Sequence, residues 1–428
     1  MSNSSLNNAE WQKLFDKYDI LNAIEENGFF EISATQIKEF REPRLMVKFD
    51  HTNNLPELFS KNKLAILPVT RGDYIISHFD AYHTFEPADA PIVNASLPTH
   101  IQSLNSNNIP SEAIALNCAV ASGIIADFIE DSDIIPTVSG RMGSGSFSFN
   151  INDTQTETTR KINVNNSQIE IDAAYEGISC LALFEAKRTL SEDFLIRQLY
   201  YPYRVWSNRV TKKVKPVFLV YSNGIYRLYE YAFSDPNNYS SLKLVKQKNY
   251  SMEDTSISVS DIQNVIETAA IVEEPAIPFP QADNFDRIIN LCELVSTREL
   301  NKADIAEQND FVPRQAGYYA EAARYLGLLE KSDKGKNSPY HISRNGQCIM
   351  KLSFKQRQLA FCRCILSHKV FNETLSLYFR NGSMPSTSDI VERMRQSDLY
   401  RVGGDSTFER RASTIRSWLN WIVSRISE

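Results

Sequence analysis

Apolar positions recur along this chain at two spacings, and the switches between them predict an α/β (α+β) protein of several modules. Residues 11–27 and 34–40 carry the helical spacing, and residues 64–68 and 73–79 read as short strands. Together they predict an N-terminal α+β domain over residues 1–92, ending in a Pro/Ala-rich stretch at 87–91. Ser111 stands where it can cap a helix over residues 112–130, whose apolar side is Ile114, Leu116, Val120, Ile124, Ile125 and Phe128. Gly140-Arg141-Met142-Gly143-Ser144-Gly145 reads as a turn leading into an alternating strand over 147–151, and residues 153–167 as a polar loop. Two β-rich runs follow, Ile169-Glu170-Ile171-Asp172 and residues 181–187, with a turn at Gly177. A helix over 192–208, capped by Ser191 and holding Pro202, precedes strands over 216–221, 224–232 and 241–245. Residues 93–250 thus run α-β-β-β-α-β with further strands, a mixed sheet with helices packed on it.

Residues 251–283 read as a weak helix and a proline-rich linker. Helical spacing then dominates at 285–295, 302–306 and 314–325. A hairpin follows, its tip carrying Lys334 and Lys336, and returns through Tyr340, His341 and Ile342. Three helices and a basic-tipped hairpin predict a winged helix over residues 284–350. Residues 353–380, 389–396 and 407–426 are helical again, so residues 351–428 are expected to hold a second helix-turn-helix unit.

The 428 residues exceed one ordinary core, and 42% hydrophobic with 23% charged residues suits folded modules rather than disorder. No apolar run is long enough for a membrane span, and Met1-Ser2-Asn3-Ser4 lacks the start of a signal peptide, so a cytoplasmic protein with no membrane partner is expected. Six scattered cysteines, with Cys362 and Cys364 the only close pair, lack zinc spacing and read as reduced thiols. The net charge of −6 argues against a strongly basic nucleic-acid binder. Its distribution points the other way. From Gln281 onward there are 22 Lys and Arg against 17 Asp and Glu, leaving 24 basic and 35 acidic residues before it, or net +5 behind net −11. Binding to phosphates follows the local patch, so a nucleic-acid partner stays open.

Candidate chemistry sits in the two β-rich runs. Side chains alternate across a strand, so Glu170 and Asp172 are expected on one face, as are Glu185 and Lys187. An acid–acid–lysine cluster in apolar strands costs free energy unless a metal ion or substrate compensates it. Asp172, followed by Glu185-Ala186-Lys187 in an α-β-β-β-α-β order, resembles the PD-(D/E)XK nuclease superfamily, to which many type II restriction endonucleases belong. Ile171 stands where the family's proline would be. The resemblance covers the middle third of the chain. It implies that Asp172, Glu185 and the Ala186 carbonyl hold Mg²⁺, a hard cation suited to oxygen ligands. It also implies that Lys187 orients the attacking water and stabilises charge on phosphorus, and that an acid on the first helix contributes. Glu112 occupies that position, where it also reads as an ordinary first-turn glutamate complementing the helix dipole. Glu185 and Lys187 would otherwise form a plain edge-strand ion pair. Gln198 is placed to face the site from its helix.

The remaining candidates concern DNA. Arg141 and Ser144 lie in the glycine segment, where backbone can approach a phosphate; a plain turn explains them equally. Arg314, Gln315 and Tyr318 open the third helix of the winged-helix segment, within reach of base edges, with Lys334 and Lys336 on its wing. Arg410, Arg411 and Arg416 give the last helix a basic side. The expected function is a Mg²⁺-dependent, sequence-specific double-stranded DNA endonuclease of the type II restriction kind. As that resemblance implies, it would dimerise to cut both strands and would have a cognate DNA methyltransferase as companion. A repair or transposition-type nuclease with the same core is one alternative. A non-catalytic winged-helix regulator is the other.

Overall fold

A computed structural model describes residues 3–156, 158–308, 313–333, 335 and 338–427. The chain is a mixed α/β protein dividing into two compact units, Met1–Met252 and Glu253–Glu428.

The first unit begins with helices Asn3–Tyr18 and Ile20–Asn27, beside an antiparallel sheet ordered Phe30–Ser33, Asp73–Ser77, Ala65–Pro68. The expected single helix over 11–27 breaks at Asp19, whose φ of 49° is left-handed and cannot continue an α-helix. Trp11, Leu14, Phe59 and Ile76 fill this module's core, and the Trp11 indole N–H donates to Met46 O at 2.9 Å.

A seven-stranded sheet forms the rest of the unit. In chain order its strands are β1 Ile92–Asn94, β2 Ile135–Gly143, β3 Gln168–Glu176, β4 Cys180–Lys187, β5 Lys213–Ser222, β6 Ile225–Phe233 and β7 Leu242–Ser251; in space they run β1-β7-β6-β5-β4-β3-β2. Strands β2, β3 and β4 form an antiparallel meander, while β5 lies parallel to β4. The crossover between them is helix α3, Arg197–Ser207. Helices α1, Glu112–Ala121, and α2, Ile124–Ile129, precede β2. They replace the expected helix over 112–130, because Gly123 at φ +79° ends one and starts the other.

Strand alternation sorts β5 cleanly. Val217, Leu219 and Tyr221 pack with α1 and α2, while Phe218 and Val220 join the cluster containing Leu199, Tyr200 and Tyr201 of α3. Both faces are therefore covered, which is why β5 reads as nearly continuous apolar sequence.

Three expectations for this region need correction. The strand before β3 in the sheet is β2, so residues 140–143 are strand rather than turn; β2 bends there through Gly140, at φ +89°. Strand Ser146–Asn152 pairs instead with Thr159–Asn165, inside what reads as polar loop, forming a separate two-stranded ribbon. Alternation in Thr159–Asn165 buries only Ile162 and Val164, too weak a signal between polar neighbours. Residues 193–195 are likewise a short strand before α3, pairing with Tyr82–Thr84.

The second unit has a single core. Helices Phe285–Val295, Lys302–Gln308 and Pro313–Tyr325 are followed by strands Leu329–Lys331 and Tyr340–Ile342, and Leu300 bridges to Tyr340. Helices Arg344–Met350, Phe354–Leu366, Lys369–Asn381, Thr387–Arg395 and Asp405–Ser424 complete it. The expected weak helix in the linker is Val259–Thr268, and its Ile262 and Val265 enter this core. Among the described residues no helix is long and apolar enough to cross a membrane.

Candidate active site

The β3–β4 ladder ends one residue before the acids. Its last pair is Phe184 with Ala173, so Glu185 and Asp172 come next, opposite one another but outside the ladder. The cause lies on the other side of β3. Between the pairs Val138–Ala174 and Gly140–Ile171, β2 advances two residues while β3 advances three, which makes Asp172 and Ala173 a bulge. Bulges re-aim side chains and terminate pairing. Here the Asp172 carboxylate takes the place of a strand carbonyl: its Oδ2 accepts the Ala186 N–H at 2.8 Å. A residue's N–H and C=O leave a strand on the same edge, so the Ala186 carbonyl also points toward β3. Glu170 lies before the bulge, in regular register with Arg141. Glu170 pairs with Arg141 at 3.2 Å, both more than half exposed.

Glu185 is 8% exposed, and its Oε1 accepts from Lys187 Nζ at 2.5 Å and from Gln198 Nε2 at 2.7 Å. Burial pushes the Glu185 carboxyl up to about 7; Lys187 opposes this, and the Asp172 charge adds to it. Burial alone would lower the Lys187 ammonium, but Glu185, Asp50 and Glu112 outweigh it and hold its pKa above the ordinary lysine value. Glu112, the first residue of α1, reaches the same end of β4 and accepts a backbone hydrogen bond from Arg188. Burial raises its carboxyl, against the Lys187 charge.

The structure therefore brings Asp172, Glu185, Lys187, Glu112 and Gln198 to one place. It adds Asp50, from the N-terminal module, whose charge acts on both Glu185 and Lys187. The chain at Asp50 is stapled beside α3. Leu195 N–H donates to Asp50 O at 2.8 Å, and the His51 ring meets Asp193 O at 2.5 Å. Thr52 donates to the Asp193 carboxylate through both its N–H and its hydroxyl.

Asp172, Glu185 and the Ala186 carbonyl offer hard oxygens, the donor set of Mg²⁺. Gln198 Oε1 is buried without a hydrogen-bond partner beside Glu185, an acceptor suited to a water that a hydrated cation would carry. Among the described residues no group of three or more His, Cys, Asp or Glu side chains is spaced to enclose a metal. Two carboxylates and a carbonyl form an open set instead, which leaves positions for water and substrate.

The DNA-contact candidates fall out differently. Ser144 is buried, with its N–H on Ser167 O and its hydroxyl on Gly145 O, each at 2.8 Å. Arg314 is exposed and donates to Tyr318 Oη at 2.6 Å. Gln315 and Tyr318 are half-buried on the same helix. Arg416 is turned to Pro385 O and Thr387 Oγ1, both at 3.2 Å, so it joins two helices. Arg410 is exposed and Arg411 half-buried. Lys334 and Lys336 lie outside the described residues.

Three family models match the chain, each described as a domain of unknown function: DUF6996 over residues 8–76, DUF6997 over 77–251 and DUF7226 over 287–427. The middle match spans Glu112, Asp172, Glu185, Lys187 and Gln198, while Asp50 falls in the first. No curated protein matches the chain, and no solved structure does.

Proposed function

We propose that this protein is a Mg²⁺-dependent endonuclease hydrolysing phosphodiester bonds of double-stranded DNA on a PD-(D/E)XK-type core, with residues 284–350 acting as a winged-helix DNA-binding module. The observation that carries the reading is the Asp172 carboxylate bonded to the backbone of Ala186, between Glu185 and Lys187, on a meander whose third strand continues by a helix into a parallel fourth. Asp172, Glu185 and the Ala186 carbonyl would hold the cation. When bound, it supplies a Lewis acid for the scissile phosphate and lowers the pKa of the attacking water. Lys187 brings a fixed positive charge to the negative charge that develops on phosphorus. Gln198 orients Glu185 through its amide, and the Glu112 charge helps keep Lys187 charged.

The finer reading is a type II restriction enzyme, acting as a homodimer on a specific site and accompanied by a methyltransferase. The test is mixed-sequence plasmid incubated with Mg²⁺, with the fragment ends sequenced. Ends sharing one sequence support a restriction enzyme. Cutting at free ends or branched structures would move the protein to the repair or transposition class. Specific binding without any cleavage, or cleavage unchanged by Asp172→Ala and Lys187→Ala, overturns the nuclease reading in favour of a regulator.

A further inference from the structure

The second unit contains a cleft of about 450 Å³ beside helix Pro313–Tyr325. Arg314, Gly317, Tyr318 and Glu321 of that helix line it, facing Lys302, Lys331 and the segment around Gln281. Its carboxylate is already committed. Glu321 accepts from Arg324 at 2.5 Å, from Lys331 at 3.1 Å and from the Tyr340 hydroxyl at 3.0 Å. Among the described residues, that leaves the charges of Lys302 and Arg314 facing the space.

Both cations are held in place. A Cβ on Gly317 would come within 2.7 Å of Lys302 Cε and 2.8 Å of its Nζ, so the lysine lies across bare helix backbone. A glycine inside a helix costs about 1 kcal/mol relative to alanine. Here it makes room for that amine. The Arg314 guanidinium sits 5.5 Å from the centre of the Tyr318 ring while its Nε donates to the ring's hydroxyl.

The last helix contributes to the same surroundings. The Ala282–Asp283 segment, next to Gln281, is tied to it by Trp418 Nε1 on Ala282 O at 2.7 Å and Thr414 Oγ1 on Asp283 at 2.6 Å. Burial and the neighbouring Arg410 lower the pKa of Arg411 on that helix, while Tyr318 and Asp283 act against the shift.

We propose that this cleft receives one unpaired nucleobase of a bound DNA strand, stacked on Tyr318, with the adjoining phosphates on Lys302 and Arg314. Its volume falls in the range of roughly 300–1,000 Å³ usual for small-ligand pockets. Base–aromatic stacking contributes roughly 1–3 kcal/mol, while taking a base out of a duplex costs a few kcal/mol. The balance favours a base that is already unpaired. The inference rests on the winged-helix part of the proposed function and is independent of the acid–lysine site.

The test uses the full chain in EDTA, so that no cutting intervenes, with a fluorescein-labelled duplex carrying one bulged nucleotide and its fully paired counterpart. The bulged duplex binds about tenfold more tightly, equivalent to about 1.4 kcal/mol. Tyr318→Ala removes that preference while Tyr318→Phe keeps it, and Lys302→Gln weakens binding of the bulged duplex, each variant being checked for native circular dichroism. Equal affinity for the two duplexes overturns the proposal, as does a preference that survives Tyr318→Ala. Full competition by a free deoxynucleoside monophosphate at comparable concentration also overturns it, marking an effector pocket instead. A retained bulge preference together with no cleavage in Mg²⁺ would remove the nuclease reading alone.

Discussion

Glu185 and Lys187 show how much one residue's role depends on its surroundings. Burial holds the Glu185 carboxyl at about 7, so in the metal-free protein it is protonated below neutrality and ionised above it. A cation competes with that proton. Affinity for Ca²⁺, which allows binding to be followed by calorimetry, is therefore expected to rise by up to about tenfold per pH unit below 7 and to level off above it, since each pH unit is about 1.4 kcal/mol. Glu185→Gln flattens that dependence. Lys187→Ala is expected to lower the single-turnover cleavage rate by about 10²–10³-fold, the usual effect of deleting one group that stabilises transition-state charge, while Ca²⁺ affinity persists. Asp172→Asn removes both rate and affinity. These residues were legible in the sequence because charged groups recurring inside apolar strands stand out. Asp50 was not: it lies in a polar loop and is brought to the site by bonds to residues 193–195, among them its carbonyl on Leu195 N–H, 145 positions along the chain.

Among the elements, local signals forecast best where they are self-contained. Ser111 caps its helix as expected, accepting the Ile114 N–H at 3.2 Å. The strands carrying Asp172 and Lys187 also fall where the alternation put them. What failed were features decided by a partner strand. The bulge at Asp172–Ala173 is a mismatch of advance between β2 and β3, and neither strand alone encodes it. The ribbon strand Thr159–Asn165 is defined by the partner it pairs with rather than by its own polar sequence. Close approach between elements is similarly invisible until they are packed. Gly346 is such a point: a Cβ there would lie 2.3 Å from the backbone oxygen of Leu328 and 2.7 Å from Ile342 Cδ1. The carbonyl cannot swing aside as a flexible side chain would. Gly346→Ala is expected to destabilise the second unit by about 1–3 kcal/mol, the usual cost of overpacking, read as a lower urea midpoint. Gly317→Ala meets the end of the flexible Lys302 side chain, which can move aside, and is expected to cost much less.

At the scale of the whole molecule, each compact unit owns its core. The aromatic cluster of Phe285, Phe371 and Trp418 is closed within residues 253–428, where Phe371 stacks on Trp418 at 5.2 Å. Residues 253–428 expressed alone are therefore expected to fold, with a cooperative urea transition and native near-ultraviolet circular dichroism. A non-cooperative transition of that fragment would count against an independent second unit. Charge does not follow the same division: residues 253–428 carry 22 Lys and Arg against 23 Asp and Glu, and the basic excess begins only at Gln281. If the chain binds DNA as proposed, that binding is expected to weaken steeply with added salt, because the cations of residues 281–428 would release counterions from phosphate.

The pairing of β1 with β7 carries a consequence for how the protein is made. Ile92–Asn94 closes the sheet against residues 249–251, and the loop at Asp50 is fastened beside α3 through residues 193–195. Synthesis runs from the N-terminus, so these contacts wait for distant parts of the chain to leave the ribosome. Joining strands so far apart also bears a high loop-closure cost and slows assembly. Asp172, Glu185 and Lys187 thus emerge well before the framework that aligns them is complete, and the proposed site would stay unassembled until residue 251 has been made.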